Sequence, residues 1–215
     1  MSIEPKSIQK LTSKKIYIVR HGQTNYNELG IVQGRGIDAS LNEVGRRQAA
    51  LFFEAYKEVP FDRVYVSTLQ RTRESVQGFL DMGIPFEVHE GLDEISWGHH
   101  EGQEANPGRN AYFRSLVEQW NRGKTNVKIE GGESPEDVAL RQRPVIEKII
   151  NSQDDTVLIC MHGRAIRIFL CQLLGLPLSS MDRFGHSNLG LYILNYYNGH
   201  FGLFLANSTH HLGKN

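Results

Sequence analysis

The chain has 215 residues, 24 basic and 24 acidic, so its formal net charge is zero, and 40% of its residues are apolar. That length fits one domain with a sizeable core, and the charge balance argues against nucleic acid or an anionic membrane surface as a partner. No stretch approaches the ~18 apolar residues of a membrane span, and two cysteines buried in apolar runs, Cys160 and Cys171, argue against a disulfide framework and for a reducing cytoplasm.

Residues 1–14 are polar and lysine-bearing, with no apolar core of a secretory signal, and are expected to form a loose extension. A single domain is expected over 15–208. Its first strand is Ile16–Arg20, an apolar run that stops at Arg20-His21-Gly22. Asn42 reads as the N-cap of a helix from Glu43 to about Glu58. Arg63–Ser67 is the second strand and Leu69–Leu80 the second helix, stopped near Gly83 and Pro85. Phe86–His89 is a short edge strand. Residues 95–132 are richer in Gly, Asn, Trp and charge and read as a lid insertion, with one short helix over Ala111–Trp120 carrying Phe113, Leu116, Val117 and Trp120 on one face. Ser134, Pro135 and Asp137 form a capping-box start for a helix reaching about Asn151, in which Pro144 predicts a kink. The strand Val157–Met161 runs straight into His162-Gly163, and a helix follows over Arg164–Leu174. Leu191–Asn195 and His200–Ala206 read as a hairpin turning at Asn198-Gly199. Residues 209–215 form a tail.

Strands that alternate with helices predict an α/β fold with a central, mostly parallel sheet. In such sheets ligands bind at the carboxyl ends of the strands. Two strands here end in His-Gly, at His21 and His162. Arg20 stands beside the first, Arg71 lies just past the second strand, and Glu94 sits in Leu92-Asp93-Glu94. If the strands are parallel neighbours, these side chains converge on one sheet edge, where helix N-termini add free N–H groups for an anion. The residue types suit phosphoryl transfer. A neutral imidazole can attack phosphorus, arginines hold phosphate oxygens with paired donors, a second histidine can donate to a non-bridging oxygen, and a carboxylic acid can protonate the leaving oxygen and then activate water. No step requires a metal. His99-His100-Glu101 and His210-His211 are the competing metal reading; adjacent histidines on a strand would point to opposite faces.

With these residues in order, the chain resembles the histidine phosphatase superfamily, also called phosphoglycerate mutase-like, over nearly its whole length. Val19-Arg20-His21-Gly22-Gln23-Thr24 with Asn27 is similar to the family's opening signature. Gln33-Gly34, Asp38, Leu41, Gly45 and Gln48-Ala49 match the next block, Ser67 to Arg71 the block after it, and Leu92-Asp93-Glu94 with Glu101-Gly102 the proton-donor block. Gly131-Gly132-Glu133-Ser134 is common in the phosphatase branch, His162-Gly163 with Ile166-Arg167 matches the second histidine, and Ser187-Asn188 a late block. Arg164 stands where small or neutral residues are frequent.

The resemblance implies a three-layer α/β/α fold with one antiparallel edge strand. It implies a histidine acid phosphatase-like phosphomonoesterase that works through phospho-His21. The expected catalytic set is His21, Glu94, His162, Arg20 and Arg71, with Asn27, Gln33, Gly34 and Gly163 joining Arg20, Arg71 and His162 in phosphate or substrate binding. No metal or cofactor is expected, and the partner is a small phosphomonoester. The alternative is a cofactor-dependent phosphoglycerate mutase, which would need a bisphosphoglycerate primer. Those mutases cover the site with an arginine pair. The stretch here offers only scattered Arg109, Arg114, Arg122 and Lys124, which favours the phosphatase. A dead, phosphoester-binding module would have lost the nucleophile or the acid, and neither is lost. Substrate identity and oligomeric state are not legible.

Overall fold

The structure is a computed structural model and describes residues 13–104 and 106–213. Most of the expected N-terminal extension therefore lies outside the described residues. In chain order the elements are β1 (Ser13–Arg20), α1 (Asn25–Glu28), α2 (Glu43–Tyr56), β2 (Arg63–Val66), α3 (Gln70–Ser75), α4 (Gln77–Asp81), β3 (Phe86–Val88), α5 (Pro107–Asn121), α6 (Pro135–Asn151), β4 (Thr156–Met161), α7 (Gly163–Leu173), β5 (Leu191–Tyr197) and β6 (His200–Ser208).

The strands form a six-stranded sheet in the order β3-β2-β4-β1-β5-β6. The first four neighbours are parallel, and β5 runs antiparallel to both β1 and β6. The hairpin turns at Asn198 (φ 51°) and Gly199 (φ 87°), the left-handed pair that suits strand twist. Side chains alternate across the sheet. Ile16, Ile18, Val157, Ile159 and Met161 meet Val145 and Ile149 of α6 and Ile166, Phe169 and Leu170 of α7. Tyr17, Val19, Val64, Val66, Leu158 and Cys160 meet Phe52 of α2 and Val76 and Phe79 on the other face. Burial on both faces is why the inner strands are continuous apolar runs rather than alternating ones. This is the expected three-layer architecture.

The adjacent strands β1 and β4 send their chains to opposite faces, β1 toward α2 and β4 into α7. That divergence opens a crevice at their carboxyl ends, the switch point of a doubly wound sheet. The loop leaving β1 is pinned there. Asn42 caps α2, its backbone N–H donates to the Gln23 carbonyl (3.0 Å) and its side chain to Gln23 Oε1 (2.9 Å). Gly45 presses so closely that a Cβ would lie 2.1 Å from the Gln23 carbonyl oxygen, so only glycine fits without moving the loop.

Two expectations are corrected. The helix predicted over Leu69–Leu80 is two short helices broken at Val76 (φ −120°, ψ 13°). Ser75 Oγ donates back to the Arg71 carbonyl at 2.6 Å, a bond that bends helices, while it also accepts from Gly22 N–H at 2.8 Å. The lid helix starts at Pro107, earlier than predicted, because Asn106 caps it and Pro107 sits in its first turn. As expected, α6 runs on to Asn151 with Pro144 inside it, on the exposed side of the helix.

The lid segment buries Ile95, Leu116, Trp120 and Ile129 against Val138, Ile168 and Met181 rather than around a core of its own. Within the tail, His210–Leu212 form a single turn that lays the His211 ring 5.2 Å from Phe52 and 5.5 Å from Tyr56.

Candidate active site

The β1–β4 register sets the centre of the site. Arg20 pairs with Met161, and His21 N–H donates to the Met161 carbonyl at 3.0 Å. His21 and His162 thus leave neighbouring strands at nearly one level, and their rings lie 5.2 Å apart. Both are buried, at 2% and 0% exposure, so solvent does not decide their protonation.

Their partners do. His21 Nδ1 lies 2.7 Å from the Gly22 carbonyl oxygen, which only accepts. Nδ1 therefore carries the proton, and Nε2 keeps its lone pair. His162 has the opposite tautomer. Arg71 Nε, which only donates, points at His162 Nδ1 at 3.2 Å. Nε2–H of His162 then donates to Ser67 Oγ at 2.8 Å. Ser67 Oγ also accepts from Leu69 N–H (3.1 Å) and passes its own hydrogen to Thr72 Oγ1 (3.1 Å), which donates to the Leu69 carbonyl (2.8 Å). The chain of donors closes with no conflict. Burial first, then the charges of Arg20 and Arg71, hold His21 well below the ordinary imidazole range; burial and Arg71 do the same to His162.

A stability consequence follows. Each histidine is neutral when folded and titrates near 6.5 when unfolded, so below that pH the unfolded chain binds the additional protons. Stability is present above about pH 6.5 and is lost as pH falls. Each site costs about 1.4 kcal/mol per pH unit in that window. Thermal melts are expected to show Tm falling steeply from pH 7 to pH 5, and His162→Gln to flatten that slope. A wild-type Tm that is flat over the range contradicts neutral buried imidazoles.

Arg71 is fully buried. Besides His162 it donates to the carbonyls of Ile37 (2.7 Å) and Gly34 (3.3 Å), which leaves two of its five N–H groups for a ligand. Arg20 donates through Nη1 to the His186 carbonyl at 2.8 Å, and among the described residues its buried Nε has no partner. Burial pushes the Arg20 guanidinium down to about 10, opposed by Glu94 and reinforced by Arg71 and Arg167; it stays charged at neutral pH.

Glu94 is 7% exposed and sits over the N-terminus of α7. Its Oε1 accepts from Ile95 and Ala165 N–H, both at 2.9 Å, and Oε2 from Arg164 N–H at 3.1 Å. One lone pair of Oε2 remains for chemistry. Its neighbours in sequence differ. Asp93 is taken up by the Thr68 amide and hydroxyl, both 2.9 Å, and by Arg35 at 3.5 Å. Glu101 accepts from Trp97 N–H at 2.9 Å and fills the space beside Gly34 and Gly36, where a Cβ would come within 2.0 and 2.7 Å of its carboxylate.

The remaining expected residues join the same network. Asn188 Nδ2 donates to the His21 carbonyl (3.0 Å) and to Asn27 Oδ1 (3.1 Å). Asn27 and Thr24 form a capping box for α1, and Thr24 Oγ1 donates to Gln33 Oε1 at 2.8 Å. Gln33 Nε2 is buried without a partner among the described residues. Gly163 opens α7 with space that a Cβ would fill 3.4 Å from His186 and 3.5 Å from Arg20 Nε. Every side chain expected at the site is therefore within this cluster. Ser75, Thr72 and His186 carry no site signal in the sequence, and Ser67 reads there as a strand end and the first residue of the block that reaches Arg71. Hydroxyl side chains give no periodic signal, and His186 comes from the irregular stretch before β5.

His99 and His100 lie in a tight turn rather than on a strand. His100 stacks on Tyr112 at 4.5 Å, and among the described residues no three His, Cys, Asp or Glu side chains gather as a metal cluster. Among those residues, no helix is long and apolar enough to cross a membrane.

Two buried histidines of opposite tautomer, the buried Arg71, the part-buried Arg20 and the Glu94 carboxylate gather at the switch point of this sheet. The family model for the histidine phosphatase superfamily (branch 1) matches residues 16–209, and the chain belongs to that superfamily. A Hydrogenobacter thermophilus protein provisionally named phosphoserine phosphatase 2 is 30% identical over 83% of this chain and 87% of its own. A probable phosphoglycerate mutase of Erwinia tasmaniensis is 28% identical over 79% of each chain. The solved structure of a mycobacterial glucosyl-3-phosphoglycerate phosphatase superposes with a TM-score of 0.81 at 25% identity, covering 92% of this chain and 100% of that one.

Proposed function

We propose that the chain is a phosphomonoesterase that hydrolyses a small phosphorylated metabolite through a phosphohistidine on His21. The observation that carries this is the Nδ1–H···O=C bond from His21 to Gly22, which leaves Nε2 as a buried, uncharged nucleophile beside Arg20, Arg71 and His162. In the first step His21 Nε2 forms the P–N bond while the ester P–O bond breaks and the leaving oxygen takes a proton from Glu94. In the second, Glu94 removes a proton from water as its oxygen attacks phosphorus, the P–N bond breaks and His21 Nε2 recovers its lone pair. Arg20 and Arg71 hold the equatorial oxygens. When Arg71 Nε turns from His162 to the phosphate, His162 Nδ1 takes the proton that a monoanionic phosphate ester brings and shares it with one of those oxygens. None of these steps calls on a metal.

Hydrolysis is favoured over mutase chemistry by the lid. Arg109 holds Glu104 and Gln103, Arg122 pairs with Glu118 at the surface, and Arg114 and Lys124 are exposed. These bases are engaged elsewhere or face solvent, whereas a mutase needs an arginine-rich cover to retain a bisphosphate and exclude water.

The test is a rapid quench with a labelled aryl phosphate in the presence of chelator and glycerate. The expected result is an acid-labile, alkali-stable label on His21 that discharges as inorganic phosphate. Label that leaves as phosphoglycerate overturns the phosphatase reading in favour of the mutase, and turnover that collapses with chelator overturns the metal-free mechanism.

A further inference from the structure

One arginine close to the site takes no direct part in the phosphoryl chemistry, because none of its donors is free for a ligand. Arg141, on α6, is part-buried and uses all five of its N–H groups within the protein. Nε and Nη2 donate to the two oxygens of Glu133, at 2.9 and 3.2 Å. Nη1 donates to the carbonyls of Glu90 (3.1 Å) and Gly91 (2.9 Å), and the second hydrogen of Nη2 goes to the carbonyl of Glu94 itself, at 2.9 Å. Glu133 carries the grip one step further. Its Oε2 accepts from Ser96 N–H at 2.8 Å, and its own backbone N–H donates to the Ser96 carbonyl at 3.1 Å. The stretch from Glu90 to Ser96 is thus held at both ends and in its middle by one ion pair.

The grip is on backbone, and it bears on the acid. Gly91 lies so close to α6 that a Cβ would come within 2.5 Å of the Arg141 carbonyl oxygen, so the turn Glu90–Leu92 has no slack against the helix. The side chain of Glu94 is held by the N–H groups of Ile95, Arg164 and Ala165. Such bonds are roughly twice as strong to a carboxylate as to a neutral carboxyl. Glu94 must be neutral when it donates a proton, so its side-chain anchors are weakest at the step where its position counts most. The Arg141 bonds end on carbonyls and do not depend on the charge of Glu94. A clamp between helix and lid would account for the ion pair with Glu133. It does not account for carbonyl bonds that end on the turn leading into Glu94 and on Glu94 itself.

We propose that Arg141, seated by Glu133, is the positioning residue of the proton donor, fixing the Glu94 backbone so that the neutral carboxyl still meets the leaving oxygen. This rests on the phosphatase reading above. Arg141 touches no reacting atom and acts only through Glu94.

The test measures the single-turnover rate of His21 phosphorylation from p-nitrophenyl phosphate and from glycerol 2-phosphate, whose alkoxide leaves only with a proton. Arg141→Gln is expected to slow the alkyl ester ~10-fold or more, part of the ~100-fold that a general acid supplies, and the aryl ester by less than about threefold. In a Glu94→Gln background the same substitution is expected to cost the alkyl ester nothing further, because no acid is left to place. A purely structural role slows both esters in both backgrounds. Inhibition by inorganic phosphate is expected to be unchanged, since Arg141 has no donor free for it. Glu133→Gln sets an NH2 against one of the N–H donors around it, and is expected to show the same pattern more weakly; it carries the test if Arg141→Gln does not fold. Equal losses on the two esters, a further loss in the Glu94→Gln background, or weakened phosphate inhibition overturns the positioning role and leaves the phosphatase reading standing. No phosphorylation of wild-type His21 by p-nitrophenyl phosphate overturns both.

Discussion

Replacing His21 by alanine is expected to lower turnover of every phosphomonoester by at least about 10⁴-fold, the scale on which nucleophile deletions act. The geometry leaves no substitute. His162 has the wrong tautomer, with Nδ1 facing Arg71 and Nε2–H committed to Ser67. Arg20 and Arg71 remain in the variant, so inorganic phosphate is still expected to bind while chemistry stops. Turnover within tenfold of wild type, measured on protein with an unchanged far-UV spectrum, would show that phosphate does not pass through His21.

The second large effect is expected at Glu94. Glu94→Gln is expected to slow phosphorylation by alkyl phosphates ~100-fold or more, the usual size of general-acid catalysis. Aryl phosphates, whose leaving groups need little protonation, should lose much less in single-turnover measurements. The hydrogen bonds add a second expectation. All three partners of the carboxylate are N–H donors, so the amide of glutamine must set its own NH2 against one of them. The cheapest placement keeps the oxygen on Ile95 and Ala165 and turns the NH2 toward Arg164 N–H, at a cost of about 1–3 kcal/mol. Tm should therefore fall along with the rate, and the rate comparison between leaving groups isolates the catalytic part. Equal losses on both substrate classes would remove Glu94 as the acid. Glu101 would then be the next carboxylate to test, because Asp93 is committed to Thr68.

Much of this site is legible in residue order. The apolar runs ending at His21 and His162 mark strand tips, Asn42 and Ser134 mark helix starts, and the two caps behave as local chemistry dictates because their partners lie three residues on. The break at Val76 is not legible. It follows from Ser75 serving Gly22, a partner 53 positions away. The tautomer of His162 is hidden for the same reason. Which nitrogen of His162 carries the proton is decided by Ser67 and Arg71, 95 and 91 positions earlier. Arg164 and Arg167 are visible as charges in the sequence, but the partner they share is defined only once Asp182 folds back on both.

The strand order also sets when the enzyme becomes one. β1 pairs only with β4 and β5 among the described strands, and β2 reaches the rest of the sheet only through β4. In a chain that stops at residue 155, the strand leading to His21 has no strand to lie against; only β2 and β3 can pair. Contacts so distant along the chain fold slowly. The two imidazoles meet only after Thr156–Met161 enters the sheet between β1 and β2, so a fragment cut before that strand keeps Arg20, His21, Arg71 and Glu94 without bringing them to His162.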